Sequence, residues 1–269
     1  MRGTTKSNGP KHALDKFYTK PEVAAQCLAS LDISSFALCI EPSAGAGSFS
    51  SLLPEGSLAL DLAPESEGIL QQDFFEFTPH KTDGKILVVG NPPFGQQNSL
   101  AVKFINHAAT FADVIAFIVP RSFSKTSVQR RISKNLHLKS STILPAESFT
   151  LHGIDYAVPC VFQIWEKRDA ERIDTVLKTT TDFFKFVKKS DNPDFSIRRV
   201  GGNAGKASLN IDVSDQSNYF IKTDKTTSPE SLIAFINTLE FPMRDLGVGP
   251  RTISKSELIQ VFEQAKRLK

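Results

Sequence analysis

Between residues 21 and 166 the chain repeats one pattern: a short run of branched apolar residues, then a stretch with helical spacing, then another apolar run. That alternation predicts an α/β fold built on a mostly parallel sheet, because each buried strand needs a helix to carry the chain back. The predicted strands are "ALCIEPS", "SLALDLA", "GILQQ", "ILVVGNPP" and "DVIAFIVP". The predicted helices are "PEVAAQCLASL", with Pro21 at its first position, "GSFSSLLP", "NSLAVKFINHAATF" and "SVQRRISKNL". Too little chain separates "LKSSTILP" from "YAVPCVFQIWE" for a crossover helix, so these two are expected to pair antiparallel and close the sheet.

The character changes after Trp165. "EKRDAERIDTVLKTTTDFFKFVKK" is charged, a linker or a helix, and "DFSIRRV", "ASLNIDV" and "NYFIKTD" read as short strands between Gly- and Asn-rich turns. Two helices follow. Ser228 caps the first, with Pro229 at its first position, and Ser254 with Glu257 forms a capping box for the second. The expected division is an N-terminal segment over 1–20, a catalytic domain over 21–168 and a smaller α+β domain over 169–269.

The formal charge of the 269 residues is only +3, so attraction to a polyanion has to come from placement. Residues 121 to 139 carry Arg121, Lys125, Arg130, Arg131, Lys134 and Lys139 with no acid. Residues 185 to 206 interleave Phe186 and Phe195 with Arg198, Arg199 and Lys206, a mixture that suits phosphates and stacked bases or a solvated face. Cys27, Cys39 and Cys160 are odd in number and lack metal or disulfide spacing, so they read as buried thiols of a reducing, cytoplasmic compartment. The polar, basic opening has no signal-peptide core, no run is long enough to span a bilayer, and the first ten or so residues are expected to be mobile.

Ligands of open α/β sheets bind past the carboxyl ends of the strands, so the residues following each apolar run matter most. The first run ends in "EPSAGAGSF", where Gly45 and Gly47 permit a tight turn against a ligand beside Glu41 and Ser43. The second ends at Asp61, whose carboxylate can accept two ribose hydroxyls. The third ends in "QQDFF", where Asp73 can accept an adenine amine and Phe74 can cover the base. Each alone also fits a helix cap or a core aromatic; together and in this order they suit an adenosine-containing cofactor. A dehydrogenase fingerprint would need GxGxxG, and the chain has "GAGSFS".

The fourth run ends in "NPPF". Asn91 offers a side-chain carbonyl, the prolines fix the backbone while contributing no donor, and Phe94 supplies a flat surface. Two acceptors held rigidly apart suit an NH2 group on an aromatic ring. Pro92 and Pro93 could simply end a strand, but that leaves the flanking Asn91 and Phe94 unexplained.

"NPPF", with "EPSAGAGSF" upstream, "ALDLA" and "QQDFF" between and "DKFYTKPEVA" near the start, resembles the class I S-adenosylmethionine-dependent adenine-N6 methyltransferases over about residues 15 to 166. The resemblance is specific because five motifs occur in the family's order. It implies a Rossmann-like seven-stranded sheet whose last strand is antiparallel, S-adenosylmethionine as cofactor, and no metal. It also implies that Tyr18 and Thr19 hold the methionine moiety, Gly45 and Gly47 run beneath the cofactor, Asp61 binds its ribose and Asp73 its adenine amine. Asn91 and the Pro92 carbonyl would accept both N–H bonds of the target amine while Phe94 stacks on its ring. Phe149, or failing it Tyr156, would cover the other face, although both also fit a core.

Relatives with this tetrapeptide act on DNA adenine, RNA adenine, cytosine N4 or a protein glutamine. The basic segments favour nucleic acid, contacted by Arg121, Lys125, Arg130, Arg131, Arg198, Arg199 and Lys206. A C-terminal region large enough for target recognition favours DNA, with RNA next. An inactive nucleic-acid-binding scaffold is the alternative from another class.

Overall fold

The computed structural model of the protein describes residues 17–151, 153–174, 177–224, 227–246 and 250–267. The mobile opening expected from sequence falls mainly on 1–16, outside the described residues, as does His152. The described chain forms two compact units. One comprises the chain up to Pro120 together with Arg130–Ile173; the other comprises Arg121–Gln129 and the chain from Asp174 onward. The division therefore falls a few residues later than 168/169, and part of the first basic segment groups with the second unit.

In the first unit the elements run β1 (Tyr18–Thr19), α1 (Pro21–Leu28), β2 (Leu38–Glu41), β3 (Leu58–Asp61), β4 (Leu70–Gln71), β5 (Ile86–Gly90), α2 (Ser99–Ala108) and β6 (Val114–Pro120). After α3 (Thr126–Gln129), which lies in the second unit, come β7 (Leu136–Ile143), β8 (Phe149–Leu151), β9 (Ile154–Tyr156) and β10 (Cys160–Lys167). The main sheet has seven strands in the order β4-β3-β2-β5-β6-β10-β7. β2, β3, β4, β5 and β6 are mutually parallel, whereas β10 runs antiparallel to both β6 and β7. This is a Rossmann-like seven-stranded sheet with its last strand reversed, as the resemblance implies.

The central strands are apolar throughout because both faces are covered: Ile86 to Val89 and Ile115 to Val119 are all buried. Pro21 opens α1 as expected, since the first helical N–H needs no partner there. Two predicted helices are shorter than their periodicity suggested. "GSFSSLLP" forms only a single tight turn over Ser50–Leu52, and "SVQRRISKNL" contributes three residues to the helix Thr126–Gln129.

A small sheet, β1-β8-β9, has no counterpart in the sequence reading. Its strands have two or three residues each, too few for an alternating pattern to show. Past β10 the chain is irregular rather than helical: Arg168 and Arg172 donate their backbone N–H groups to Asn135 and Lys134 carbonyls. The Arg172 guanidinium also donates to the carbonyls of Ile132, Ser133 and Leu136. Those bonds hold the segment against the chain that leads into β7.

The second unit has a four-stranded antiparallel sheet of β11 (Phe184–Val187), β12 (Phe195–Arg198), β13 (Ala207–Ser208) and β14 (Asn218–Thr223), in the order β11-β14-β12-β13. Helices α4 (Pro229–Ile236) and α5 (Lys255–Arg267) bury Leu232, Ile236, Leu258, Ile259 and Phe262 with the strand residues Phe184, Phe195, Ile197 and Ile221. Ser228 caps α4 by accepting from Ser231 N, as the sequence predicts. At α5 only half of the capping box forms. Ser254 Oγ accepts from Glu257 N at 3.1 Å, but the Glu257 carboxylate accepts from Met243 N at 3.2 Å instead of reaching back. Its burial pushes the Glu257 carboxyl above the usual range.

Candidate active site

The carboxyl ends of β2, β3, β4 and β5 converge on a cavity of about 240 Å³ in the first unit. Glycine conformation shapes one wall. Gly45 and Gly47 adopt φ of 53° and 88°, so the loop after β2 turns back at once and Gly47 N donates to Ala44 O at 2.7 Å. Ala44 N donates to Leu60 O, which ties this loop to β3. Asp61, at the end of β3, fastens it further: one carboxylate oxygen accepts from Gly45 N and the other from Ala63 N, each at 2.8 Å. A carboxylate offers about four acceptor positions, so two remain for a ligand.

Asp73 accepts from Phe75 N at 2.9 Å and so caps the short turn Phe74–Glu76, and it lines the cavity with Gln72. Phe74 lies in the wall but is nearly fully buried, stacked on Phe104 with centroids 5.2 Å apart. Its neighbour Phe75, not singled out from the sequence, also lines the cavity and is partly exposed.

The tetrapeptide lines the same cavity. Asn91 Nδ2 donates to Phe17 O at 3.2 Å, and Ser43 Oγ donates to Asn91 O at 3.2 Å. Asn91 Oδ1 is buried and has no hydrogen-bond partner. Among the described residues no N–H reaches the Pro92 carbonyl either. Leaving a buried acceptor unpaired costs roughly 1–3 kcal/mol, so these acceptors mark a place shaped for a donor. Phe94 packs against the core, and its carbonyl accepts from Leu100 N and Ala101 N at the start of α2. Beyond it the backbone is strained: Gln97 and Asn98 both have positive φ, at 50° and 61°.

Glu41 is 2 % exposed and its carboxylate accepts from Ser50 N at 2.7 Å. Burial pushes its carboxyl up to about 8; the Ser50 and Phe49 groups oppose this and the Asp61 charge adds to it. An unfolded glutamate titrates near 4.5, so below that pH both states hold the proton. As pH rises from there toward 8 the unfolded chain ionises first and folding stability falls, levelling off above 8. Glu41→Gln is therefore expected to gain on the native chain between pH 5 and 8, by about a few kcal/mol at the top. Thermal unfolding across that range checks it; a pH-independent gap would show that folded Glu41 is ionised.

Tyr18 and Thr19 both line the cavity. Thr19 Oγ1 is buried and unpartnered, while the Tyr18 hydroxyl lies 2.8 Å from both carboxylate oxygens of Glu65. The expected base-stacking residue Phe149 is 0 % exposed. It pairs with Thr19 across β1 and β8, and its ring is occupied by the core and by an edge contact to Phe17. It therefore presents no free face. Tyr156 is 43 % exposed and lies stacked on Phe17, with centroids 4.9 Å apart and planes 15° from parallel. Phe17 is the main residue the sequence reading missed: its carbonyl orients Asn91, and its ring lines the cavity. Its position immediately before Tyr18 was the available signal.

The basic candidates scatter. Arg130 and Arg131 belong to the first unit, Arg121 and Lys125 to the second. Arg131 Nη1 donates to Gln97 O at 2.9 Å, and its own carbonyl accepts from Asn106 Nδ2, so it braces the strained loop after Phe94. Lys125 is partly buried, which lowers its ammonium, with Glu257 and Asp245 opposing the shift. Arg198 Nε donates to Val200 O at 2.9 Å, and Lys206 Nζ to Asn237 O at 3.3 Å. Arg199 lies over the Tyr219 ring at 5.5 Å.

Residues 60–171 match the model of the EDM2 methyltransferase-like domain. A comparison with curated proteins gave no match. Similar solved structures include a protein assigned as an RNA methyltransferase from Pyrococcus horikoshii, with 19 % identity and a TM-score of 0.45 over 60 % of this chain and 90 % of that one. Another is the methyltransferase subunit of a type I restriction-modification system from Streptococcus thermophilus, with 16 % identity and a TM-score of 0.41 over 58 % of this chain. The match covers 46 % of that subunit. A third is magnesium protoporphyrin IX methyltransferase from Synechocystis, solved with bound S-adenosylmethionine: 13 % identity, a TM-score of 0.36, and 55 % and 77 % of the two chains.

Proposed function

We propose that the protein is an S-adenosylmethionine-dependent methyltransferase acting on the N6 amine of adenine in nucleic acid, with DNA as the first substrate to test. One observation carries this reading: the buried Asn91 Oδ1 has no hydrogen-bond partner, and Asn91 and Pro92 line the same cavity as Gly45, Asp61 and Asp73. The match of residues 60–171 to a methyltransferase-like domain supports the same reaction class.

The residues present fit the cofactor. Asp61 has acceptor positions left for ribose hydroxyls, Asp73 has one carboxylate oxygen outside its capping bond for an amine, and Thr19 Oγ1 is an unused polar atom in the wall. Leu62 and Phe75 supply apolar surface beside Asp73. Bound S-adenosylmethionine supplies an electrophilic methyl carbon.

An aromatic amine is a poor nucleophile because its lone pair is delocalised into the ring. Acceptance of both N–H bonds, by Asn91 Oδ1 and Pro92 O, favours a pyramidal nitrogen and strengthens as positive charge grows there. Asn91 is held for this task by the Phe17 carbonyl and by Ser43, so little reorganisation is needed. Phe94 and the partly buried Phe17, which line the cavity, are the aromatic surfaces against which a base can rest, with exposed Tyr156 stacked on Phe17. A duplex base would have to leave the stack at a cost of about a few kcal/mol, which a single strand avoids.

The test is to incubate the protein with isotopically labelled S-adenosylmethionine and separate pools of duplex DNA, single-stranded DNA, RNA and protein. The modified residue is then identified by mass spectrometry. N6-methyldeoxyadenosine is the expected product. Label on RNA adenine would move the substrate within the proposed class, whereas label on a protein glutamine, or on nothing, would overturn the proposal.

A further inference from the structure

The second unit holds a groove of about 510 Å³ between β11, β14 and the start of α5. Cationic and aromatic side chains meet there. Phe186 and Tyr219 pack edge to face at 5.4 Å, and Lys255 Nζ sits 4.7 Å from the Phe186 centroid and 5.8 Å from that of Tyr219. Arg199 covers Tyr219 at 5.5 Å, and Lys188 and Lys189 complete the basic wall. The Tyr219 hydroxyl donates to Ile253 O at 3.0 Å, which fixes the ring that both cations use.

Among the described residues three of the four cations lack an ion pair, although the Asp191 carboxylate, which accepts from Lys188 N at 3.0 Å, feels the Lys188 charge. Lys189 pairs with exposed Asp212 at 3.0 Å, but no carboxylate lies within ion-pair distance of Lys188, Arg199 or Lys255 among the described residues. Arg199 Nε is also buried without a hydrogen-bond partner. Asp215 is the one acid in the lining. Like charges gathered along one groove repel one another, and an anion relieves that repulsion. A neighbouring groove, lined by Arg198 and Lys206, differs because both side chains already donate to main-chain carbonyls.

We infer that the groove of Lys188, Arg199 and Lys255 binds backbone phosphates of a nucleic-acid strand without reading its sequence. The choice of nucleic acid over another phosphorylated partner rests on the function proposed for the first unit. Phosphate contacts release counterions, so each contributes about 0.7 to the slope of log affinity against log salt on a single strand.

The test uses the full chain and a fluorescent single-stranded oligodeoxynucleotide, with anisotropy read between about 50 and 200 mM salt. Lys188→Gln with Lys255→Gln should reduce the slope by about 1.4. Arg199→Gln should reduce it by about 0.7, with thermal melting to confirm folding. Should Arg199→Gln unfold, the lysine pair still decides. Measurable binding with an unchanged slope in the lysine pair overturns the inference, as does tighter capture of a phosphoserine peptide lost in the same variant. Methyl transfer is scored separately on the native chain. Transfer to nucleic acid with no slope change sinks only the groove, and a slope change without transfer sinks only the proposed reaction. A chain that neither binds nor methylates nucleic acid sinks both.

Discussion

Asn91→Ala is expected to lower kcat by at least about 10²- to 10³-fold, the usual effect of deleting one preorganised partner of developing charge. Cofactor affinity should stay within about threefold, because in the proposed reading the tetrapeptide binds the acceptor amine while Asp61, Asp73 and the glycine loop bind the cofactor. The side chain does two things: Oδ1 is the orphan acceptor, and Nδ2 anchors it to the Phe17 carbonyl. Asn91→Asp separates them. It keeps an acceptor but places a second oxygen against the Phe17 carbonyl, so it should fall between alanine and the native residue. Single-turnover kinetics with calorimetric cofactor binding checks both variants. Native-like turnover in Asn91→Ala would remove the amine-binding role and the proposed reaction with it.

Sequence made the main sheet legible because its strands are buried on both faces and therefore apolar from end to end, as in Ile86–Gly90 and Val114–Pro120. It also exposed the strand-end residues, since a polar group directly after such a run stands out. What it hid depends on contacts between distant segments. Phe149 looked like a loop aromatic until β1 paired with β8 and buried it. Arg131 looked like a phosphate contact, yet its partner is a carbonyl 34 positions away. The irregular course of residues 168 to 172 is set by carbonyls near residue 134, which no local propensity encodes. Phe17 matters through its carbonyl, and a backbone atom leaves no mark on residue type.

Asp61→Ala should show the second large effect, in two separable readings. Its oxygens accept from Gly45 N and Ala63 N, so alanine strands two N–H groups and loosens the cofactor loop. Hydrogen bonds to charged groups contribute about 1.5–3 kcal/mol each. Losing even one such bond to a ribose would weaken S-adenosylmethionine by about 10- to 100-fold, since every 1.4 kcal/mol is tenfold. Asp61→Asn discriminates between the two roles. One carbonyl oxygen can keep the Gly45 bond and hold the loop, while the charge and half of the acceptor positions are gone. The amide NH2 leaves the Ala63 N–H without its acceptor, so thermal stability should lie between native and alanine while affinity falls most of the way to that of alanine. Affinity that tracks stability across both variants would mean that Asp61 acts only as a brace for the glycine loop, and the ribose would have to be held from elsewhere in the wall.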